Sequence, residues 1–164
     1  MLLLNLIHLR AQHLTFMGMP LGVKTEEFCS FLLSKGFKQN HLPNRDLFVG
    51  PFWKLENCKL EIINTFIYPG PGSVVSEVHI YFNDKKQSVI RRLYSELKKS
   101  MQKKYGKSED LTWDFEDGFF YIYHAPKIGI DIRYYHKTSD EYKKRKQKEV
   151  YEKWRRDYDY DSDL

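Results

Sequence analysis

Five aromatic residues crowd one stretch of the chain: Trp113, Tyr121, Tyr123, Tyr134 and Tyr135. Rings on a strand can stack on bases or sugars. They also fill cores and cross-strand pairs, and half of any strand must face inward. Trp113, Tyr121, Tyr123 and Tyr135 form the candidate aromatic surface. A second group is cationic. Residues 84–107 hold nine Lys or Arg against Asp84 and Glu96, and residues 143–156 hold eight against Glu149 and Glu152. Arg91, Arg92, Lys98, Lys99, Lys143, Lys144 and Arg145 are the candidate basic surface. Such helices can meet phosphate or anionic lipid, or be ordinary solvated faces.

Other chemistry finds little support in the residue pattern. His79, His124 and His136 fall on or beside strands, with His8 and His13 near the start, and none is paired at metal-ligand spacing. Asp114 and Glu116 are two apart on an expected strand, the arrangement of an acid–base pair. They stand next to a hairpin end, where solvated acids are the simpler reading. Gly18-Met19-Pro20-Leu21-Gly22 lacks the Lys-Ser/Thr ending of a phosphate loop and reads as the lead-in to a helix. No G-x-S-x-G elbow occurs. No catalytic residue, metal ligand or cofactor site is nominated, and an enzyme is the least favoured class.

The elements that must position these groups follow from periodicity. Thr25 reads as an N-cap, Phe28, Phe31 and Leu32 as one helical face, and Gly36-Phe37 as the stop, giving a helix over Glu26–Lys35. Strands are expected over Leu47–Trp53, Cys58–Tyr68 and Val74–Phe82. Gly50-Pro51 interrupts the first, and Pro69-Gly70-Pro71-Gly72 turns between the others. In the last of these, Val74, Val78, Ile80 and Phe82 line one face, and Val75, Glu77, His79 and Tyr81 the other. A capping box at Asp84–Gln87 opens a helix whose stripe is Ile90, Leu93, Leu97, Met101 and Tyr105, closed by Gly106. Leu111–Glu116 and Phe119–Tyr123 flank Asp117-Gly118, read as the two positive-φ positions of a tight hairpin. After a turn at Ala125-Pro126-Lys127, Ile128–Tyr135 alternates. Thr138 with Glu141 caps a basic helix that runs to Arg156.

The sum is an α+β domain in the order α-βββ-α-βββ-α. Antiparallel strands follow from the short turns, and the helices are expected on one sheet face. Length (164 residues) and the 41% apolar share suit one domain over residues 13–156, with net charge +5. Residues 157–164 alternate Asp with Tyr or Ser and read as an acidic, disordered tail.

The opening, MLLLNLI followed by HLRAQ, is too short to span a bilayer. Residues 1–12 read as a truncated signal peptide, which implies export. Cys29 and Cys58 each read as a small buried hydrophobe, and export would make a bridge between them chemically accessible.

The stretch FMGMPLGVKTEEFCSFLLSKGF, Phe16 to Phe37, resembles the opening of small exported proteins of gut bacteria, in which an F-x-G-x-P-x-G segment leads into a helix ending Lys-Gly-Phe. LYSELKKSMQKKYGK, Leu93 to Lys107, is similar to their second helix. The resemblance covers about half the chain and implies a periplasmic or exported α+β domain without assigned catalytic residues. The expectation is a non-enzymatic envelope domain holding a protein partner or ligand on a sheet face. The alternative is a cytoplasmic module that binds nucleic acid or an acidic partner through basic helices 84–107 and 138–156.

Overall fold

The computed structural model of the chain describes residues 13–42, 45–50, 63–69, 71–82, 87–125 and 129–159. The signal remnant, Pro51–Trp53, Cys58, Asp84, the Pro126-Lys127 turn and the end of the tail lie outside them.

A two-stranded hairpin, β1 (Thr15–Phe16) and β2 (Met19–Pro20), precedes α1 (Thr25–Ser34). Then come β3 (Lys38–Leu42), β4 (Arg45–Gly50), β5 (Ile63–Pro69) and β6 (Val75–Phe82), with a single 3-10 turn over Pro71–Ser73. Helix α2 (Gln87–Tyr105) leads to β7 (Thr112–Phe115), β8 (Gly118–Ala125), β9 (Gly129–His136) and α3 (Asp140–Asp159). Seven strands form one antiparallel sheet in the order β3-β4-β5-β6-β9-β8-β7. Two meanders thus meet where β6 pairs with β9. The α+β class and antiparallel pairing are as expected. Among the described residues four strands rather than three separate α1 from α2, because Lys38–Leu42 is a strand. Its sequence, KQNHL, shows no apolar alternation, and it pairs only as an outer strand.

Alternation assigns every side chain to a face. Val78, Ile80, Phe82, Ile130, Ile132, Tyr134, Phe120, Ile122, Trp113 and Phe48 occupy one side, where they join Phe28 and Leu32 of α1 and Ile90, Leu93 and Leu97 of α2 in one contiguous core. Phe120 is fully buried. Its ring stacks on Trp113 (5.1 Å), Tyr134 (5.0 Å) and Phe115 (5.7 Å) and meets Tyr105 of α2 edge-on at 5.3 Å. The stripe read from α2 is this contact.

The third helix departs from the one-face expectation. Tyr142 stacks on Phe119 (6.3 Å) and the Arg145 guanidinium lies 4.3 Å over the same ring. Phe119 and Phe120 are neighbours on β8 and point to opposite sides, so α3 lies across the sheet from α1 and α2. The reason is compositional. A helix this polar cannot join the core, and Tyr142 in its first turn is set against the sheet.

Local chemistry corrects several further expectations. Thr25 does not cap α1. Lys24 holds that position, and Thr25 Oγ1 donates to Ser73 O at 2.9 Å, tying the helix to the turn before β6. Gly36 (φ +86°) and Phe37 end α1 as read, with Phe37 N–H donating to Leu32 O. A bulge at Tyr68/Pro69 places Val75 opposite Pro69, which turns Val75 to the interior, fully buried, instead of the polar face. Met17 and Gly18, both at positive φ, make a tight turn between β1 and β2, so the stretch expected as a lead-in to the helix holds a hairpin. Ser139, not Thr138, caps α3, accepting from Tyr142 N–H at 3.1 Å. Thr138 instead sits 2.9 Å from His136 Nδ1. Burial, the larger effect, and nearby Lys137 hold the His136 imidazole below its usual pKa against the opposing pull of Asp117.

At the β7–β8 hairpin the turn residues are Glu116 and Asp117, and neither Asp117 nor Gly118 has positive φ. Asp117 is buried and acts as a clasp. Its carboxylate accepts from Leu14 N–H (2.7 Å) and meets His13 Nδ1 (2.9 Å), while its carbonyl accepts from Lys137 N–H (2.7 Å). The acidic residue read as turn chemistry instead fastens the N-terminal segment to the sheet.

Candidate functional site

The side of the sheet away from α1 and α2 carries Glu77, His79 and Tyr81 on β6, Asp131, Arg133 and Tyr135 on β9, Phe119, Tyr121 and Tyr123 on β8, and Thr112 and Asp114 on β7. Helix α3 contacts this face at Phe119. Tyr123 remains 58% exposed, which places a ring in solvent beyond the helix.

The aromatic members stack into a ladder. Tyr135 lies 5.1 Å from Phe119 and 6.0 Å from Tyr121, with interplanar angles of 26° and 25°, and meets His79 edge-on at 5.6 Å. Parallel rings on alternate positions of adjacent strands present a flat platform. Tyr135 forms its base and is 4% exposed, and burial, its largest influence, raises its phenol pKa so that it stays neutral. Polar groups border the platform. Arg133 Nε donates to Asp131 Oδ2 at 2.7 Å; desolvation is the largest influence on the guanidinium, and the bonds to Asp131 and Tyr135 more than offset it, raising its pKa. His79 Nε2 lies 3.2 Å from Glu77 Oε2.

Between this platform and α3 runs a groove of about 380 Å³. Phe119 and Tyr121 floor it, Glu141, Lys144, Arg145 and Lys148 form the helix wall, and Asp110 and Thr112 form the other. Arg145 is a fixed part of that wall. Its Nη1 and Nη2 each lie 3.0 Å from an oxygen of Asp114, and its Nε lies 3.3 Å from Glu149 Oε1. An ion pair with one direct hydrogen bond, from Nη2 to Asp114 Oδ2, and the ring of Phe119 beneath it hold this planar cation in place. Lys144, by contrast, has no ion partner among the described residues. Asp110 is held ionised. Burial pushes its pKa up, but hydrogen bonds from Ser108 Oγ and Thr112 N–H outweigh this and leave it low. A carboxyl group fixed in its anionic form is a poor proton donor.

The candidates read from the sequence divide accordingly. Tyr121, Tyr123 and Tyr135 share the open face. Trp113 does not belong to this surface. It is 6% exposed on the opposite side, stacked on Phe120, and its Nε1 donates to Gly106 O at 3.0 Å. Of the basic residues, Lys144 and Arg145 line the groove, and Lys143 pairs with Asp140 at the start of α3. Arg91, Arg92, Lys98 and Lys99 are exposed on α2, across the sheet, so the two basic helices do not form one track. Asp114 pairs with Arg145, and Glu116 lies in the turn, so the two acids do not act together. His79 lies on the open face, whereas His124 stacks on Tyr94 of α2 on the other face. Among the described residues there is no group of three or more His, Cys, Asp or Glu placed to hold a metal ion. Phe119 and Arg133 were missed. The β8 alternation that exposed Tyr121 and Tyr123 already placed Phe119 beside them.

No family model, curated protein or solved structure matches the chain.

Proposed function

We propose that this chain is a non-enzymatic binding domain of the bacterial envelope, which holds an acidic segment of a partner protein against the open sheet face. The observation that carries this reading is the groove itself: an aromatic floor of Phe119 and Tyr121 beneath a wall bearing Lys144, a cation with no ion partner among the described residues. Stacking area contributes affinity, and Lys144 offers one cation to an acidic side chain of the partner, in a lining that also holds the acids Asp110 and Glu141. The resemblance of Phe16–Phe37 to small exported proteins of gut bacteria supports the envelope location. The separation of α2 from α3 by the sheet weighs against one continuous phosphate track. No helix among the described residues is long and apolar enough to cross a membrane.

A fluorescein-labelled peptide of alternating Glu and Tyr serves as the probe, with anisotropy as the readout. Lys144→Glu is expected to weaken binding by about tenfold and Tyr121→Ala by about five- to tenfold. Lys98→Glu, on the far side of the sheet, should leave affinity within about twofold. Equal losses from Lys98→Glu and Lys144→Glu would count against the groove. Equal affinity for a single-stranded RNA of the same charge would favour a nucleic-acid module instead. Fractionation of cells expressing the full open reading frame tests location: recovery solely with cytoplasmic markers contradicts the envelope assignment.

A further inference from the structure

A second pocket, of about 290 Å³, lies across the sheet from the groove, between the β1–β2 hairpin and α2. Its walls are apolar: Met17 on one side, Leu97, Met101 and Tyr105 on the other. Tyr134 forms part of the lining and is 5% exposed. The Tyr134 hydroxyl has no hydrogen-bond partner among the described residues. Burial raises its pKa, so it remains a neutral donor across the physiological range. The hydroxyl is not among the side-chain atoms sealed from solvent, so it opens on the pocket as a donor that no protein group occupies. Met17, held at φ +52° by the tight β1–β2 turn, packs its side chain against the core and lines the pocket.

The lining also has a definite charge. Lys104 is its one ionisable cation and no acid is present. The Lys104 ammonium lies 4.8 Å over the Tyr105 ring and has no carboxylate partner among the described residues. Thr15 and Ser100 contribute hydroxyls. Methionine walls adapt to flexible apolar groups. The size is near the lower end of ligand cavities, which run ~300–1,000 Å³.

We propose that this pocket binds a small free monocarboxylate with an apolar body, such as a medium-chain fatty acid, whose carboxylate accepts from the Tyr134 hydroxyl and pairs with Lys104 while its chain lies between Met17 and Met101. The site is separate from the open-face groove, and neither depends on the other.

Titration calorimetry of the full chain with sodium octanoate tests the assignment, with 1-octanol and phosphatidylglycerol vesicles as parallel arms. Saturable one-to-one binding of octanoate is expected, weaker by about tenfold for Tyr134→Phe and about three- to tenfold for Lys104→Ala. Tyr134→Phe keeps the ring and Lys104 is exposed, so both variants should show unchanged circular dichroism. If Tyr134→Phe fails to fold, Lys104→Ala alone decides. Octanol should bind more weakly than octanoate. Four results overturn the proposal: no saturation with octanoate, equal affinity for octanol, full affinity in the variants, or binding to vesicles alone, which would identify a lipid surface instead.

Discussion

Phe120→Ala is expected to destabilise the domain by about 3–5 kcal/mol, the range for removing a large buried ring. Phe120 has no exposed surface and touches four aromatic rings: Trp113 and Phe115 on β7, Tyr134 on β9 and Tyr105 on α2. It is the point where three secondary-structure elements share one contact with the strand between them. A methyl group in its place leaves a cavity that rigid rings cannot collapse to fill, so relaxation recovers little. For a domain of this size each kcal/mol shifts the thermal midpoint by about 2–4 °C, so a fall of roughly 10 °C is expected. Calorimetry gives the midpoint. A drop of less than about 3 °C would contradict a single core in which α2 and the β7–β9 meander pack through this ring. Phe119→Ala is the informative comparison. Its loss should affect α3 and the groove and leave the core in place, because Phe119 faces the other side.

Gly118→Ala should also destabilise, by about 3 kcal/mol, the upper end of the usual overpacking cost. A Cβ at Gly118 would overlap the Tyr135 carbonyl oxygen and approach Leu14 Cδ2 to 2.7 Å and His136 Cα to 3.2 Å. Two of these three neighbours are backbone atoms of β9 and cannot rotate away. The β8–β9 ladder would have to open at Gly118↔His136, next to the Asp117 clasp that holds Leu14. Gly106→Ala is the control. Gly106 has φ +91° but nothing within 4 Å of a Cβ, so only backbone strain of about 1 kcal/mol is expected. Urea unfolding of both variants gives the comparison. Equal midpoints for the two would mean that the Gly118 contact is not tight.

Much of the fold was legible because burial imposes a period. The α2 stripe, the end of α1 and the alternation of β6, β8 and β9 are direct consequences of one-sided burial. Strand β3 was not legible, since an outer strand with KQNHL has little apolar area to impose alternation. The side taken by α3 was also hidden. Tyr142 marks a contact, but the choice between Phe119 and Phe120 as its partner is a fact of three-dimensional register. The Val75 bulge and the Asp117 clasp are likewise tertiary: one residue of slip reverses a face, and a buried carboxylate finds a backbone donor and a histidine ring more than one hundred positions away. At the site, Tyr121, Tyr123, Lys144 and Arg145 were visible as residue types. Their convergence was not, because helix and strand meet through a fold whose pairing no local pattern encodes. Trp113 shows the reverse error: on a strand, an aromatic residue points to solvent or core by parity, and parity counted from Tyr121 requires the β7–β8 register.

The most direct test of the open-face reading is a 15N–1H correlation spectrum of the full chain titrated with the Glu-Tyr peptide. Shifts are expected to concentrate at Thr112, Tyr121, Tyr123 and Lys144, with Arg91 and Lys98 on α2 unmoved. Shifts centred on α2, or spread evenly over both basic helices, would contradict a partner seated between α3 and the sheet.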